Sequence, residues 1–334
     1  MIKIAIDLGS TMTKIYRADA GNGIVLAEPS CVAVGGDGTE VKAIGKEAKQ
    51  LVGKTAEFTR IVFPVYEGVI VDDRLAVIML KEFLSRAGIK ASKVKRAEAV
   101  FAVPCGASEE WLDAYRALAQ ECGLRKVYFV ETPYLSVLGS DDAVLSEADP
   151  VFTLNIGGGV TNAAVLSLGG IVSARSLSVG GDALERAIIE SVRANYNLVI
   201  SERMAEDLKK NIGSAYPLEQ EMTMEIKGRD AMSGLPRAMI VRSEEVREAM
   251  LPSFKTMAQA IHQTLEHCPP EISGNLIDRG AAIAGGGALI RGLDRYFSDF
   301  LGLPFFPAED PLFAVVQGTG ISIENSDWNR PRMR

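Results

Sequence analysis

The sequence predicts a two-lobed α/β fold, because its strand and helix signals occur in two copies that sit in the same order along the chain. The first observation is a repeated hairpin. Residues 2–6 alternate and are β-branched, Asp7-Leu8-Gly9-Ser10-Thr11 interrupts them, and residues 13–17 resume an extended pattern. This reads as a β-hairpin with a polar, glycine-containing turn. Residues 152–156, Gly157-Gly158-Gly159 and residues 160–168 repeat it 148 positions later, counted from position 7 to position 155.

The second observation is a repeated strand–helix–strand unit. Residues 99–103 lead through Pro104 and Gly106 into a helical stretch at 108–121, closed by Gly123-Leu124. A strand at 127–130 follows, and Pro133 opens a segment that closes at Gly139. In the C-terminal half, residues 281–284 lead through Gly285-Gly286-Gly287 into a helix that ends at Gly302-Leu303. A run at 303–306 follows, and Pro311 leads to Gly318. Gly123 and Gly302 are 179 positions apart, as are Gly139 and Gly318.

Two segments have no counterpart in the other half. Residues 28–72 are short-stranded and rich in turns. Residues 182–243 carry helical patterns at 182–195 and 201–212, each with an N-cap residue at its start, then a strand pair at 222–226 and 239–241. Ser243 is expected to cap a long amphipathic helix toward His267, kinked at Pro252. These insertions differentiate the lobes, and a ligand is expected in the cleft between them, at the ends of the core strands.

Composition limits the function. The chain has 334 residues, of which 47% are hydrophobic, so two domains can each bury a core and disorder is excluded. A net charge of −7 argues against a broad nucleic-acid face. No run reaches the ~18 apolar residues of a membrane span, and the start lacks the parts of a secretion signal, so a cytoplasmic location is expected. Cysteines at 31, 105, 122 and 268 form no C-x-x-C pair, and His262 and His267 are too few for a histidine metal cluster.

Glycine-rich turns after strands can aim backbone N–H groups at an anion. Two facing turns would clasp a polyphosphate, with hydroxyls from Ser10, Thr11, Thr13 and Thr161 and a charge from Lys14, while Gly285, Gly286 and Gly287 at a helix start would leave room for a flat base. Each feature also has a plainer reading. A glycine triplet is often only a tight turn, Asp7 a turn carboxylate and Lys14 a solvated strand residue. Neither a Walker motif nor G-x-G-x-x-G is present. Composition and spacing stop at a two-lobed α/β protein with a candidate nucleotide cleft.

The stretches IDLGSTMTK, VPCGASEEW, NIGGGVTNAAVLSLGGIVSARSLSVGGD, RGAAIAGGGALIRGLD and AEDPLFAVVQGTG resemble the actin-like superfamily, and within it the bacterial MreB family of cell-shape filament proteins. Matching stretches run in order to about residue 323. The resemblance implies a two-lobed actin-like fold, each lobe a duplicated ribonuclease-H-like core with a smaller inserted subdomain. It divides the chain into a core of residues 1–32, 73–143 and 316–334 with an inserted 33–72, and a core of 144–181 and 245–315 with an inserted 182–244. It also implies ATP or ADP with Mg²⁺ in the cleft. Asp7, Gly9, Ser10, Thr11 and Met12, continuing to Thr13 and Lys14, match the first phosphate loop, and Gly157, Gly158, Gly159, Val160 and Thr161 the second. Glu206, Lys209 and Lys210 match the helix beside the nucleoside, where Glu206 and Lys209 share a face at i,i+3. Gly285, Gly286, Gly287, Ala288 and Leu289 match the adenine wall. Asp7 stands near the metal, through water. Lys14 is more like actin, where this position carries a phosphate-binding lysine, than like MreB, which is apolar there.

The departures fall at the hydrolysis positions. Where the family has Glu-Glu-Pro this chain has Glu131-Thr132-Pro133, and where it has Asp-Ile-Gly-Gly-Gly-Thr-Thr-Glu the chain runs from Asn155 to Asn162. Amides and a hydroxyl replace three carboxylates, and an amide can neither act as a general base nor bring charge to a metal. Glu131 is a poor substitute, because one helical step turns a side chain by about 100°. Thr132 is expected to N-cap the helix that Pro133 opens.

The expected function is therefore an ATP-binding cytoskeletal filament subunit for cell shape or intracellular positioning, with slow or absent hydrolysis. Alternatives on the same fold are a non-polymerising nucleotide-dependent chaperone or adaptor, and a sugar-kinase-like phosphotransferase, for which no sugar-binding segment is evident. Expected partners are further copies of the chain, cell-wall or division machinery, and the inner-membrane surface. Membrane contact would run through Ile89, flanked by Gly88 and Lys90 and followed by Lys93, Lys95 and Arg96, or through the tail at 328–334. A solvated basic turn is the alternative reading of that loop.

Overall fold

Two five-stranded sheets with one shared strand order organise the chain in a computed structural model that describes residues 2–21, 23–36, 38–52, 59–140 and 149–325. The first contains β1 (Lys3–Leu8), β2 (Met12–Arg17), β3 (Ile24–Pro29), β9 (Glu98–Val103) and β10 (Lys126–Glu131), in the order β10-β9-β1-β2-β3. The second contains β11 (Val151–Ile156), β12 (Thr161–Ser167), β13 (Gly170–Leu177), β17 (Ala281–Ala284) and β18 (Phe305–Pro307), in the order β13-β12-β11-β17-β18. Read from the opposite edge, the second order repeats the first. In both sheets the first three strands form an antiparallel meander and the last two add in parallel. The repeat legible in the sequence is thus a repeat of topology.

The parallel additions need crossover connections. In the first lobe, α2 (Asp73–Arg86) precedes β9, and α4 (Glu109–Glu121) joins β9 to β10. Asp72 accepts the Leu75 N–H at 2.8 Å and Ser108 that of Trp111 at 3.3 Å, each satisfying one orphan donor of a first turn. Leu75, Met79, Leu80 and Phe83 of α2 and Leu112, Tyr115 and Leu118 of α4 fall at helical spacing and are buried on the sheet. In the second lobe α8 (Ser243–Glu266) packs Met250, Phe254, Met257 and Ile261 at the same spacing into the core.

Between the sheets, α5 (Thr132–Ser140) crosses α11 (Ala314–Glu324). They share one apolar cluster with both lobes, including Ala5 and Val100 from the first sheet, Ala164 and Leu166 from the second, and Leu135 and Val315 from the helices. The insertions form their own small sheets. β4 (Val32–Gly35), β5 (Val41–Ile44) and β6 (Thr59–Val62) pair in the order β5-β4-β6, with α1 (Lys46–Gln50) alongside and the short hairpin β7 (Val65–Tyr66) and β8 (Val69–Ile70) after them. α6 (Gly181–Tyr196) and α7 (Glu202–Asn211) accompany β14 (Leu198–Val199), β15 (Thr223–Asp230) and β16 (Pro236–Arg242).

Several local expectations change. α6 is not side-chain capped: its N-cap is Gly180, whereas Ser201 does cap α7. Ser243 is the first residue of α8 rather than its cap. The N-cap is Arg242, whose backbone N–H donates to the Glu245 carboxylate at 2.8 Å, while the Ser243 hydroxyl accepts the Met222 N–H and bonds Glu221. Gly286–Leu289 forms one 3₁₀ turn, and the helix expected from Gly287 begins only at α10 (Leu293–Leu301), because Gly292 takes a left-handed φ of 68°. Ile89 is 2% exposed and packs in the first core between α2 and α3 (Ala91–Val94), so it has no apolar surface to offer a membrane. Lys90, Lys93, Lys95 and Arg96 around it are exposed. Among the described residues no helix is long and apolar enough to cross a membrane. The tail at 328–334 and the expected boundary at 143/144 lie outside the described residues.

Candidate functional site

The two hairpin turns are built alike and meet. In the first, the Gly9 N–H donates to the Met12 carbonyl at 3.1 Å; in the second, the Gly157 N–H donates to the Val160 carbonyl at 2.9 Å, again 148 positions on. A Cβ on Gly158 would overlap the Thr11 hydroxyl, and one on Gly159 would stand 2.8 Å from Ser10 Oγ and 2.9 Å from Glu67 Cα. The glycines are therefore required for the turns to approach one another. The α6 N-terminus completes the junction: the N–H groups of Gly181 and Asp182 donate to the carbonyls of Gly157 and Gly158 at 3.0 and 2.8 Å. Asp182 then accepts a hydrogen bond from Thr11 Oγ1 at 3.3 Å.

Above this junction lies a cleft of about 510 Å³, between α1 and β7 on one side and α6 and α7 on the other. Ser10 and Thr11 form part of its lining, and the charges around it balance, Lys46, Lys49, Arg186, Arg203 and Lys210 standing among five acidic residues that include Asp182, Glu185 and Glu206. Glu206 of α7 bonds Lys49 across the cleft at 2.8 Å and Lys210 on its own helix at 2.6 Å. Burial alone would raise the Glu206 carboxyl, but its hydrogen bonds to Lys210 and Lys49, with their charges, bring it down to about 2. A second tie crosses nearby: Arg186 of α6 donates to the Tyr66 hydroxyl at 3.0 Å and stands 3.9 Å from Glu67. Burial raises Asp182 and Glu185 above the ordinary carboxylate range, opposed by the Lys209 charge.

The predicted residues divide into those at the cleft and those committed elsewhere. Ser10, Thr11, Gly158, Gly159, Glu206 and Lys210 gather at or against the cleft. Lys209 does not pair with Glu206 despite their i,i+3 spacing; it turns to Glu185 and the Gly181 carbonyl. The Thr13 hydroxyl is fully buried on Ser30 at 2.8 Å, and the Thr161 hydroxyl bonds the Val179 carbonyl at 2.6 Å, so neither is a free phosphate donor. Met12 and Val160 contribute the turn carbonyls. Gly285, with φ of 81°, and Gly287 are crowded by Ile156 of β11, so their missing side chains serve packing rather than a base. Gly286 has only ordinary contact, with Leu312 at 3.6 Å, and Leu289 is exposed beside Ala288.

Each position expected to bear on hydrolysis has a local structural partner or neighbour. Thr132 does not cap α5; its hydroxyl donates to the Val103 carbonyl of β9 at 2.9 Å. Asn162 accepts the Cys105 N–H at 3.2 Å, and Asn155 faces it across β11–β12 with its amide oxygen close to Gly285. Glu131 accepts the Gly106 N–H at 3.0 Å and lines a separate cavity of about 200 Å³. Asp7, expected beside a metal, is bonded by Lys14 at 2.8 Å. Mg²⁺ is usually held by one or two carboxylates together with water and phosphate oxygens. Here the strand ends carry Asp7, paired with the Lys14 ammonium, and Glu131, which accepts the Gly106 N–H, and among the described residues there is no group of three or more His, Cys, Asp or Glu that could hold a metal.

Sequence reasoning assigned no role to Lys49, Tyr66, Asp182, Glu185 or Arg186. Asp182 had a signal, the acidic residue that directly follows Gly180-Gly181. Lys49 and Tyr66 had none, because strand pairing within the insertion brings them to the cleft.

Two sheets of one topology, crossed helices between them and paired glycine turns at a cleft define an actin-like α/β protein. A family model described as MreB/Mbl protein matches residues 1–330. Cell shape-determining protein MreB of Escherichia coli strain K12 is 38% identical over 330 residues, covering 98% of this chain and 94% of that protein. Cell shape-determining protein Mbl of Bacillus subtilis strain 168 is 36% identical over 324 residues, with coverage of 97% and 96%. The crystal structure of MreB5 of Spiroplasma citri bound to AMPPNP superposes with a TM-score of 0.92 at 35% identity, covering 99% of this chain and 98% of that one, and the ADP-bound form does equally well. A MamK double helical filament shares the fold at a TM-score of 0.80 and 21% identity, covering 97% and 99%. The chain belongs to the MreB/Mbl family.

Proposed function

We propose that this chain is a filament subunit for cell shape or intracellular positioning that binds ATP and ADP in the cleft and hydrolyses ATP slowly or not at all. The meeting of Ser10 and Thr11 with Gly158 and Gly159 at the cleft carries the nucleotide reading, because it sets two polar glycine turns side by side at one cavity, and turns of this kind can aim backbone N–H groups at a polyphosphate. Glu206 and Lys210 would flank the nucleoside, and Gly286, Ala288 and Leu289 would lie on the base side. Similarity to MreB5, solved with AMPPNP and with ADP, supports the same reading.

Slow turnover is supported by the hydroxyl of Thr132 and the amides of Asn155 and Asn162, at positions where the family carries carboxylates. The fold shared with a MamK filament supports self-association, in which head-to-tail contacts that do not close give an open polymer. The three-stranded sheets within 33–72 and 182–244 support treating these segments as small subdomains inserted into two larger cores.

Electron microscopy of the protein with ATP, with ADP and without nucleotide, run beside a phosphate-release assay, tests the proposal. Ordered filaments with little phosphate release are expected. Monomers under all three conditions would overturn the filament reading and favour a nucleotide-dependent adaptor.

A further inference from the structure

The β15–β16 hairpin ends in a turn that is fixed internally yet carries apolar side chains into solvent. The Asp230 carboxylate accepts the N–H groups of Met232 and Ser233 at 3.1 and 2.8 Å and the Arg237 guanidinium at 3.3 Å, and the Asp230 N–H donates to the Leu235 carbonyl at 2.9 Å. The Ala231 N–H donates to the Asn197 carbonyl at 2.7 Å, which ties the turn to the end of α6. Held in this way, Met232 is 87% exposed and Leu235 65%. One face of the hairpin continues the pattern, because residues paired across two strands share a side and every second residue repeats it. Lys227 and Arg229 of β15 stand there with Ala238, Ile240 and Arg242 of β16, all exposed, and with Glu225, 3.8 Å from Lys227. An exposed apolar cluster rimmed by charge marks an interaction surface, and a turn already ordered loses little entropy on docking.

The opposite end of the same lobe has the complementary character. α8 begins where β16 ends and runs 24 residues, about 36 Å, to the far end of the second sheet, where Ser173 of β13 donates to the Thr264 carbonyl. There α9 (Pro270–Arg279) and α10 both finish, and the residues that follow them are joined by the Ala281 N–H and the Pro304 carbonyl at 2.8 Å. Ile277 and Phe300, on these last turns, are each more than half exposed, and each is adjacent in sequence to an exposed carboxylate, Asp278 and Asp299. Glu266 and Glu271 are exposed at this end too, while Arg279 is paired with Asp149 at 3.4 Å. The lobe therefore carries a basic, apolar surface at one end and an acidic, apolar surface at the other. Patches of opposite charge steer and orient an encounter, and two different surfaces at opposite ends give a contact that repeats without closing.

We propose that the β15–β16 hairpin of one copy docks on the α9–α10 end of the next, so that the second lobe alone supplies both halves of a head-to-tail contact. Met232, Leu235 and Ile240 meet Ile277 and Phe300, while Lys227, Arg229 and Arg242 face Asp278 and Asp299. The inference rests on the filament reading above and names the surfaces that would join the subunits.

The test is sedimentation and electron microscopy of the intact chain under the conditions in which it polymerises. Met232→Asp combined with Leu235→Asp should raise the critical concentration at least tenfold, and Phe300→Asp should do the same from the other surface. Arg229→Glu and Asp299→Arg should each weaken assembly, and the two together should bring it back to within about threefold of the parent. Thermal melting monitored by circular dichroism confirms that each variant is folded. Filaments formed by the Met232→Asp, Leu235→Asp variant at the parent's critical concentration overturn this contact and leave the filament reading standing, as does a charge-swapped double variant no better than its singles. A parent chain that stays monomeric with every nucleotide overturns both.

Discussion

Gly139 of α5 and Gly318 of α11 meet backbone to backbone where the two helices cross. A Cβ on Gly139 would overlap the Ala314 carbonyl and stand 2.6 Å from the Gly318 nitrogen; one on Gly318 would overlap the Leu135 carbonyl and stand 2.9 Å from the Gly139 nitrogen. Neither glycine has a positive φ, so the need is for space and not for an unusual dihedral. Alanine would favour an isolated helix by up to ~1 kcal/mol. At this crossing the overlap should outweigh that gain, and Gly139→Ala or Gly318→Ala should destabilise the protein by about 3 kcal/mol. Urea unfolding followed by circular dichroism checks it; a variant as stable as the parent would contradict the packing described.

The hydrolysis positions predict a gain of function. Replacing Thr132 and Asn162 by Glu and Asn155 by Asp together should raise phosphate release at least tenfold, since general acid–base groups typically contribute roughly 10²–10⁴-fold. Thr132→Glu alone should give less, because it also removes the hydrogen bond to Val103. Single-turnover phosphate release reads both, and a parent chain already as fast as the triple variant would refute slow hydrolysis.

The Lys49–Glu206–Lys210 group ties the small lobe to α7, and its pH response has a definite sign. Glu206 is held down to about 2 from its usual 4.5. Its contribution is therefore fully present above the ordinary carboxylate pKa and disappears as pH falls from there through about 2. Between pH 5 and 8 it should be constant. Glu206→Gln should remove it at neutral pH, seen as faster amide exchange over Lys46–Gln50, with little change in the buried sheets.

Arg186 provides the other tie across the cleft, to the Tyr66 hydroxyl and Glu67. A hydrogen bond involving a charged group contributes about 1.5 kcal/mol, roughly tenfold in an equilibrium. Arg186→Ala should accordingly speed release of a bound fluorescent nucleotide by up to about tenfold, while leaving the melting temperature nearly unchanged. Stopped-flow chase experiments read the rate, and unchanged release would remove Arg186 from the gate.

Much of this architecture was legible from residue order alone. The spacings from 7 to 155 and from 139 to 318 marked a duplication, and the structure turns both into one topology built twice. Ser201 caps α7 where expected, because a cap depends on neighbours three residues away. Ile89 was misjudged, since a lone apolar residue among lysines looks exposed until a core is found to enclose it. Lys209, expected beside the nucleoside on one face with Glu206, is held instead by Glu185 of α6, because helical spacing says which residues share a face and not which neighbouring helix supplies a partner. Thr132 was misread for a like reason: its hydroxyl had a strand carbonyl to reach, and that carbonyl lies 29 positions away in the chain.

The sequence by itself determined the doubled α/β plan, the glycine turns and the uncharged side chains of Thr132, Asn155 and Asn162, because each is a matter of local pattern or of residue type. Only the tertiary structure decided that Asp7 is neutralised by Lys14, that Thr13 and Thr161 are spent internally, and that Lys49, Tyr66 and Arg186 close the cleft. Those outcomes depend on which groups long-range packing brings within hydrogen-bonding distance, and a buried polar group takes whichever partner the fold sets beside it.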